Sequence, residues 1–304
     1  MYISLHSLSI LYILIIIVII YQFQKFFFRT KNPKHFFIPD NPTYNKLYLE
    51  ELRKIPKLNH RIKYLGILPK SENLICKKNL FKIISNSPYS YIIPKTFLIN
   101  YKTILNPQEY YIIKKNLHNK LGIKIIKGKD ILDNLDFEVG QEIIYNLGRQ
   151  YVIRVYVLCI QNDNSISVYF YSKNKLLFCS EYLNNKPNFQ NIVTNSSYII
   201  NTKEREMYNN INQDEFIKVL EGIKYIIQNE CNSKEMLGII KFQLFGIDIK
   251  ADKLGKYYLL EINKNPNMTN YHSEEEIMEK KEMLIEMYNL IENRKSDYQN
   301  FKTL

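Results

Sequence analysis

The 304-residue sequence predicts an α+β fold preceded by one N-terminal transmembrane helix. Three observations carry the prediction. The chain opens on an uncharged aliphatic run, strand-like apolar runs come in pairs around short polar turns, and helices with one apolar face flank those pairs.

No charged residue occurs from Met1 to Gln24, and ILYILIIIVII, from Ile10 to Ile20, is almost purely aliphatic. From about Ile3 to Tyr21 the run matches the thickness of a hydrocarbon core. It lacks the basic start and small-residue cleavage site of a signal peptide, so it reads as an uncleaved signal anchor. Lys25, Arg29, Lys31 and Lys34 all follow the span. The positive-inside rule then puts the rest of the chain in the cytoplasm, where ATP is available. Phe23 and Phe26 to Phe28 would sit at the interface. Residues 1–24 are thus the anchor and 25–57 a basic, aromatic linker, where Pro33, Pro39, Pro42 and Pro56 interrupt any long helix.

Beyond the linker, NLICKKNLFKII reads as a helix and SYIIPKTFLI as a strand entered through Pro94. EYYIIKK and GIKIIK are short strands, DILDNLDF a loop or short helix, and QEIIY another strand. QYVIRVYVLCI and ISVYFYSK form an antiparallel hairpin around QNDNS. INQDEFIKVLEGIKYIIQNE is an amphipathic helix, with Asn212 as N-cap and Glu215 in the capping-box position. IIKFQLFGIDIKA and KYYLLEIN make a second hairpin about Asp252 to Gly255. SEEEIMEKKEMLIEMYNLIENR is a closing helix whose early glutamates suit the positive end of its dipole. Residues 293–304 read as a polar tail.

Hydrophobic residues make up 46% of the chain, enough for a sizeable core. The excess of Ile, Asn, Lys and Tyr follows AT-rich codons, which share with function the explanation of the net charge of +12. A basic surface suits acidic proteins, anionic lipid or nucleic acid. No compact Lys/Arg block stands out beyond the membrane flank, so nucleic acid is not an expected partner. Cys76, Cys159, Cys179 and Cys231 form no CxxC pair, which argues against a zinc site or a disulfide framework and fits a reducing compartment.

The second hairpin carries the chemistry. In FGIDIKADKLGKYYLLEINKNPN, Asp248 sits between isoleucines, and Glu261 and Asn263 alternate with Leu260 and Ile262. With the turn near Lys253 and Leu254, cross-strand partners have numbers summing to about 508, which sets Asp248 opposite Leu260 or Glu261. Glu261 and Asn263, two apart, project from one face. Two carboxylates converging on an apolar strand pair would repel and resist burial. A hard divalent cation relieves both costs, and carboxylate and amide oxygens with retained water suit Mg²⁺. The bland alternative is a solvent-facing polar edge.

These residues and six upstream segments, in order, resemble the tubulin–tyrosine ligase-like family of the ATP-grasp superfamily. GIDIKAD…YYLLEINKNPNM resembles the family's FELxGxDxxxDxxxxxWLLEVNxSP. IPKTFLI resembles its P-x-T-[FY] strand, YIIKKNLHNKLGIKII its WIxKP…GI segment, and QEII its Q-[EK]-Y-[IL] strand. IRVYVLC is similar to DxRxYVL, VYFYSKNKLLFCSEYL to vYlYxxGlvRfaSexY, and VTNSSYII to LTNxxI. Residues 58–292 are covered.

The resemblance implies an ATP-grasp fold and an ATP- and Mg-dependent ligase that activates a carboxylate as an acyl phosphate for attack by an amine. It implies that Asp248, Glu261 and Asn263 hold Mg²⁺ and that Lys114 contacts the α/β-phosphates. Lys120 and Gly122 fall in the phosphate-covering loop, where Lys120 reads equally as surface. The resemblance implies that Arg154 is the catalytic arginine beside the γ-phosphate; inside YVIRVYVLC a guanidinium also needs an anionic partner. By the same resemblance Gln141 and Ile144 would line the adenine side. Thr194 and Asn195 match the family's TN pair, or form an ordinary polar turn. His118 reads as loop surface.

The pattern is broken at Gln150 and Val152, where the family carries Lys and Asp, at Leu177 in place of an Arg tied to anionic substrate, and at Lys115 in place of Pro. Lys175 would share Leu177's face in a regular strand. The partners implied are a free amino acid and an acidic protein acceptor such as a tubulin tail. Two other classes stay open: a non-catalytic ATP-grasp docking module at a membrane, and a ligase with a small-molecule acceptor.

Overall fold

Two sheets organise the chain. A computed structural model describes residues 63–65, 68–116, 122–146, 149–162, 165–183, 186–194, 213–232, 239–264, 266, 274–291 and 299–304. The expected anchor and linker, Asn212, Lys120, His118 and Asn195 lie outside these. Among the described residues no helix is long and apolar enough to cross a membrane.

The larger, seven-stranded sheet contains β1 (Lys63–Leu65), β6 (Tyr151–Asn162), β7 (Ser165–Tyr171), β8 (Lys175–Phe178), β9 (Ile239–Ala251), β10 (Tyr257–Lys264) and β11 (Phe301–Lys302). Its centre is the long pair β6 and β9, antiparallel from Ile153↔Ile249 to Gln161↔Lys241. β7 and β8 both pair with β6, β10 pairs with β9, and β1 runs parallel to β9. Both faces of β6 are buried, which is why it reads as a continuous Val/Ile/Tyr run rather than an alternating one. β11, within residues 293–304, pairs with β7.

The smaller sheet has β2 (Thr96–Leu98), β3 (Tyr110–Lys114), β4 (Ile123–Lys127) and β5 (Val139–Glu142), all antiparallel in the order β2-β5-β3-β4. The architecture is therefore mixed α+β with largely antiparallel sheets and flanking helices, as the alternation of element types predicts.

The helices are α1 (Ser71–Ile75), α2 (Lys77–Ser85), α3 (Phe189–Ile192), α4 (Gln213–Cys231) and α5 (Glu274–Ile291). In α4 the buried residues Val219, Leu220, Ile223, Ile226 and Ile227 keep the three- and four-residue spacing of one helical face. They join Leu74, Leu80 and Ile84 in a core with Ile153, Val155 and Val157 of β6, Phe245, Ile247 and Ile249 of β9, and Leu259 and Ile262 of β10. One face of the large sheet is thus sealed. Residues between these, Arg154, Tyr156, Asp248 and Lys250 among them, belong to the other face.

The structure refines three expectations. The first helix is broken at Cys76, which is extended at φ −73° and ψ 112°. At the break Cys76 N–H donates to the Glu72 carbonyl and Leu80 N–H donates to the Cys76 carbonyl. Both fragments bury apolar residues in one core, so periodicity does not reveal the break. The Pro94 segment is a 3-10 turn at Ser90–Ile92 before the short β2. The QEIIY strand ends at Glu142, leaving Ile144 in the connection beyond it. The hairpin turn falls where expected, with Gly255 at φ +80°, a left-handed conformation that costs glycine no steric clash.

Candidate active site

The site is built by a register change. β10 pairs with β9 as Tyr257↔Ala251, Tyr258↔Lys250 and Leu259↔Ile249, then skips Leu260 and resumes as Glu261↔Asp248 and Ile262↔Ile247. Strict alternation from the core residue Leu259 would turn Glu261 toward the core. The bulge at Leu260 turns it instead onto the face of Asp248 and returns Ile262 to the core, where it is 2% exposed. Asn263 follows on Glu261's face and donates from Nδ2 to Glu261 Oε1 at 3.0 Å.

Arg154 stands beside Asp248 in the β6–β9 register. Its guanidinium grips the carboxylate with two bonds, Nε to Oδ1 and Nη2 to Oδ2, the latter 3.0 Å. Asp248 is buried and Arg154 partly so, and bidentate geometry strengthens such a pair. The close approach needs Gly246, since a Cβ there would lie 2.8 Å from Pro266 Cβ and 3.2 Å from Arg154 Cδ.

Lys114 ends β3 and is buried. Its ammonium donates to Gln141 Oε1 at 2.9 Å, and Gln141 Nε2 donates to Thr96 Oγ1 at 3.1 Å. Two strands of the small sheet therefore hold the lysine in place. Lys114 interacts electrostatically with Glu261, Lys77 and Asp248, so both sheets contribute charge to one locus.

Burial and neighbours set the protonation tendencies. Burial lowers the Lys114 pKa, an effect Glu261 partly offsets. Burial alone would raise Glu261, but the Lys114 ammonium and the Asn263 amide hold it below the usual carboxylate value. Burial pushes Asp248 up to about 6; Arg154 opposes this and Glu261 adds to it. Burial disfavours the Arg154 charge, yet Asp248 more than compensates and holds the guanidinium protonated. Lys250, further along the Asp248 face, is drawn down to about 8 by burial.

Two carboxylates facing each other with a carboxamide alongside are hard oxygen donors of the kind Mg²⁺ takes. A carboxylate has about four lone-pair positions, so Asp248 keeps acceptor capacity beyond the two bonds from Arg154. The residues present fit a cation. Among the described residues, no three His, Cys, Asp or Glu side chains form a metal-holding group, so any cation here rests on two carboxylates, the amide and ligand or solvent oxygens.

Other expected residues are more loosely tied. Ile144 is half-buried after β5, and Thr194 is half-buried after α3. At the broken positions, Leu177 and Val152 are paired and buried. Gln150 is fully buried and bonded to Asn146, accepting from its N–H at 3.0 Å and donating to its carbonyl at 3.1 Å. Lys115 pairs with Asp136. Lys175 lies opposite Arg154 as Leu177 lies opposite Val152, so it does share Leu177's face. Its ammonium is held by Glu276 of α5, whose same oxygen lies 3.2 Å from Lys280 Nζ. The four cysteines are free. Sequence reasoning missed Lys77, which only the fold brings beside Lys114 and Glu261, and Gly246, whose signal was its place two residues before Asp248. The chain matches no protein-family model, and no curated protein sequence matches it.

Proposed function

We propose that this chain is an ATP- and Mg-dependent carboxylate–amine ligase of the ATP-grasp type, tethered to a membrane with its catalytic domain in the cytoplasm. The observation that carries the reading is the meeting of Asp248 and Glu261 across β9 and β10, with Asn263, Arg154 and Lys114 around them. The resemblance to tubulin–tyrosine ligase-like proteins supports it on the same residues.

Phosphoryl transfer is governed by positioning and charge neutralisation. A bound Mg²⁺ would supply charge neutralisation at the triphosphate, held by Asp248, Glu261 and Asn263. Lys114, fixed by Gln141, offers a point charge to the nucleotide phosphates. Arg154, oriented by Asp248, offers guanidinium donors to charge building on the transferred group. In the proposed reaction an acceptor carboxylate oxygen attacks the γ-phosphorus and ADP leaves. An amino-acid amine then attacks the acyl carbon, phosphate departs, and the nitrogen loses a proton. Under this reading an acidic protein, of which a tubulin tail is one example, suits the net charge of +12.

The test is incorporation of a labelled amino acid into an acidic acceptor with Mg-ATP. Incorporation that disappears without ATP and in Glu261→Gln supports the ligase. A second reading, a non-catalytic docking module, draws support from the buried apolar residues Val152 and Leu177 at positions where the family is charged. Absence of Mg-ATP binding, measured by calorimetry, would favour that module.

A further inference from the structure

Lys250 is a buried lysine on the site face of the large sheet. It is 3% exposed, no carboxylate pairs with its amine among the described residues, and the titratable group that acts on it is the buried Cys179 thiol. It stands two residues beyond Asp248 on a regular strand, so it shares the face of Asp248 and Arg154 while Ile249 and Ala251 enter the core. The β6–β9 register, Arg154↔Asp248 and Ile153↔Ile249, runs on to set Val152 beside it, and Tyr258 lies opposite on β10. Two residues of strand put Lys250 about 7 Å from Asp248.

The surroundings tell which end of the cleft this is. Gln141, which holds Lys114, lies near the end of β5, and the connection that follows is pinned to the end of β9 where Asn146 Nδ2 donates to the Ala251 carbonyl at 2.8 Å. Lys250 therefore lies between the carboxylate locus and that connection. With Gln141 and Ile144 on the adenine side, as the resemblance implies, a nucleotide with its phosphates at Asp248 and Glu261 would extend its sugar and base across this position. A buried cation without a partner is costly, and a ligand acceptor removes the cost.

We propose that Lys250 is a nucleotide-binding residue that donates to an acceptor on the sugar–base half of the ligand, in the place where Val152 offers no polar group. This rests on the nucleotide reading above. It assigns the phosphate half to Lys114 and Arg154 and the other half to Lys250.

Calorimetry on the full-length chain with Mg-ATP and with Mg-tripolyphosphate, which lacks sugar and base, separates the two halves. For Lys250→Met, ATP affinity should fall about tenfold or more, as for loss of a charge-assisted hydrogen bond, with tripolyphosphate affinity unchanged. Lys250→Gln, which keeps a donor, should recover part of the loss. The melting temperature of Lys250→Met without ligand should not fall, since an unpaired buried cation has been removed. Equal ATP binding by wild type and Lys250→Met, or an equal loss for both ligands, overturns the inference while leaving the nucleotide reading standing. Failure of the wild type to bind either ligand overturns both.

Discussion

Glu261 stands directly opposite Asp248 because β10 carries one extra residue, Leu260, ahead of it. Without that residue the strand alternates regularly, with Leu259 and Ile262 in the core and Glu261 and Asn263 on the site face. Deleting Leu260 should therefore leave a folded chain, at a cost of about 1–3 kcal/mol, in which added Mg²⁺ still raises the melting temperature. Collapse of the fold, or loss of the Mg²⁺ effect in a folded variant, would show that the faces are set some other way.

The Arg154–Asp248 pair joins a partly buried guanidinium to a buried carboxylate. Arg154→Met strands a carboxylate and should destabilise by about 3–5 kcal/mol, whereas the double change with Asp248→Asn should recover much of it. Denaturant unfolding of the two single variants and the double variant measures the coupling. Additive losses would argue against the pair.

Gly246 makes room for that arginine. Gly246→Ala places a methyl against Pro266 and Arg154, and overpacking of this kind costs about 1–3 kcal/mol. Activity should fall further than stability alone accounts for, because Arg154 must shift. An unchanged melting temperature would contradict the close contact.

Glu276 serves two cations, Lys175 and Lys280, all three largely buried. Glu276→Gln should cost about 3 kcal/mol by leaving both ammonium groups short of a counter-charge. Replacing Lys175 with Met in that background should restore part of the loss in a thermal melt. No recovery would place the effect in packing of α5.

Burial raises the thiol pKa of Cys231 to about 12 and moves Cys159 up as well, with each other's proximity adding for Cys159. An acid whose folded pKa lies above its unfolded value stabilises fully below the unfolded value, here 9, and loses that contribution as pH rises through the folded one. Stability should decline from about pH 9 toward 12. Native alkylation at pH 8 should label half-buried Cys76 well before Cys159 or Cys231, read by peptide mass mapping. Equal labelling would contradict their burial.

Much of the fold was legible because its signals are local. The hairpin sum of about 508 holds up to Leu259↔Ile249, and α4 shows its apolar stripe openly. The bulge was not legible, since Leu-Leu-Glu-Ile-Asn alternates acceptably in either register. Convergence of Asp248, Glu261 and Asn263 could be read from spacing, but the charge of Lys77, far away in sequence, acting on Lys114 and Glu261 required the fold. Lys250 carries no signal of its own in the sequence; its burial on the face of Asp248 appears only in the folded sheet.

The central claim is that Asp248 and Glu261 form a cation-dependent nucleotide site. Calorimetric titration of ATP into the full-length chain, with Mg²⁺ and with EDTA, for wild type and Glu261→Gln, tests it most directly. The account predicts ATP binding that needs Mg²⁺ in the wild type and weakens at least tenfold in the variant, about 1.4 kcal/mol. Binding of equal strength in all four titrations, or none with Mg²⁺ in the wild type, would contradict it.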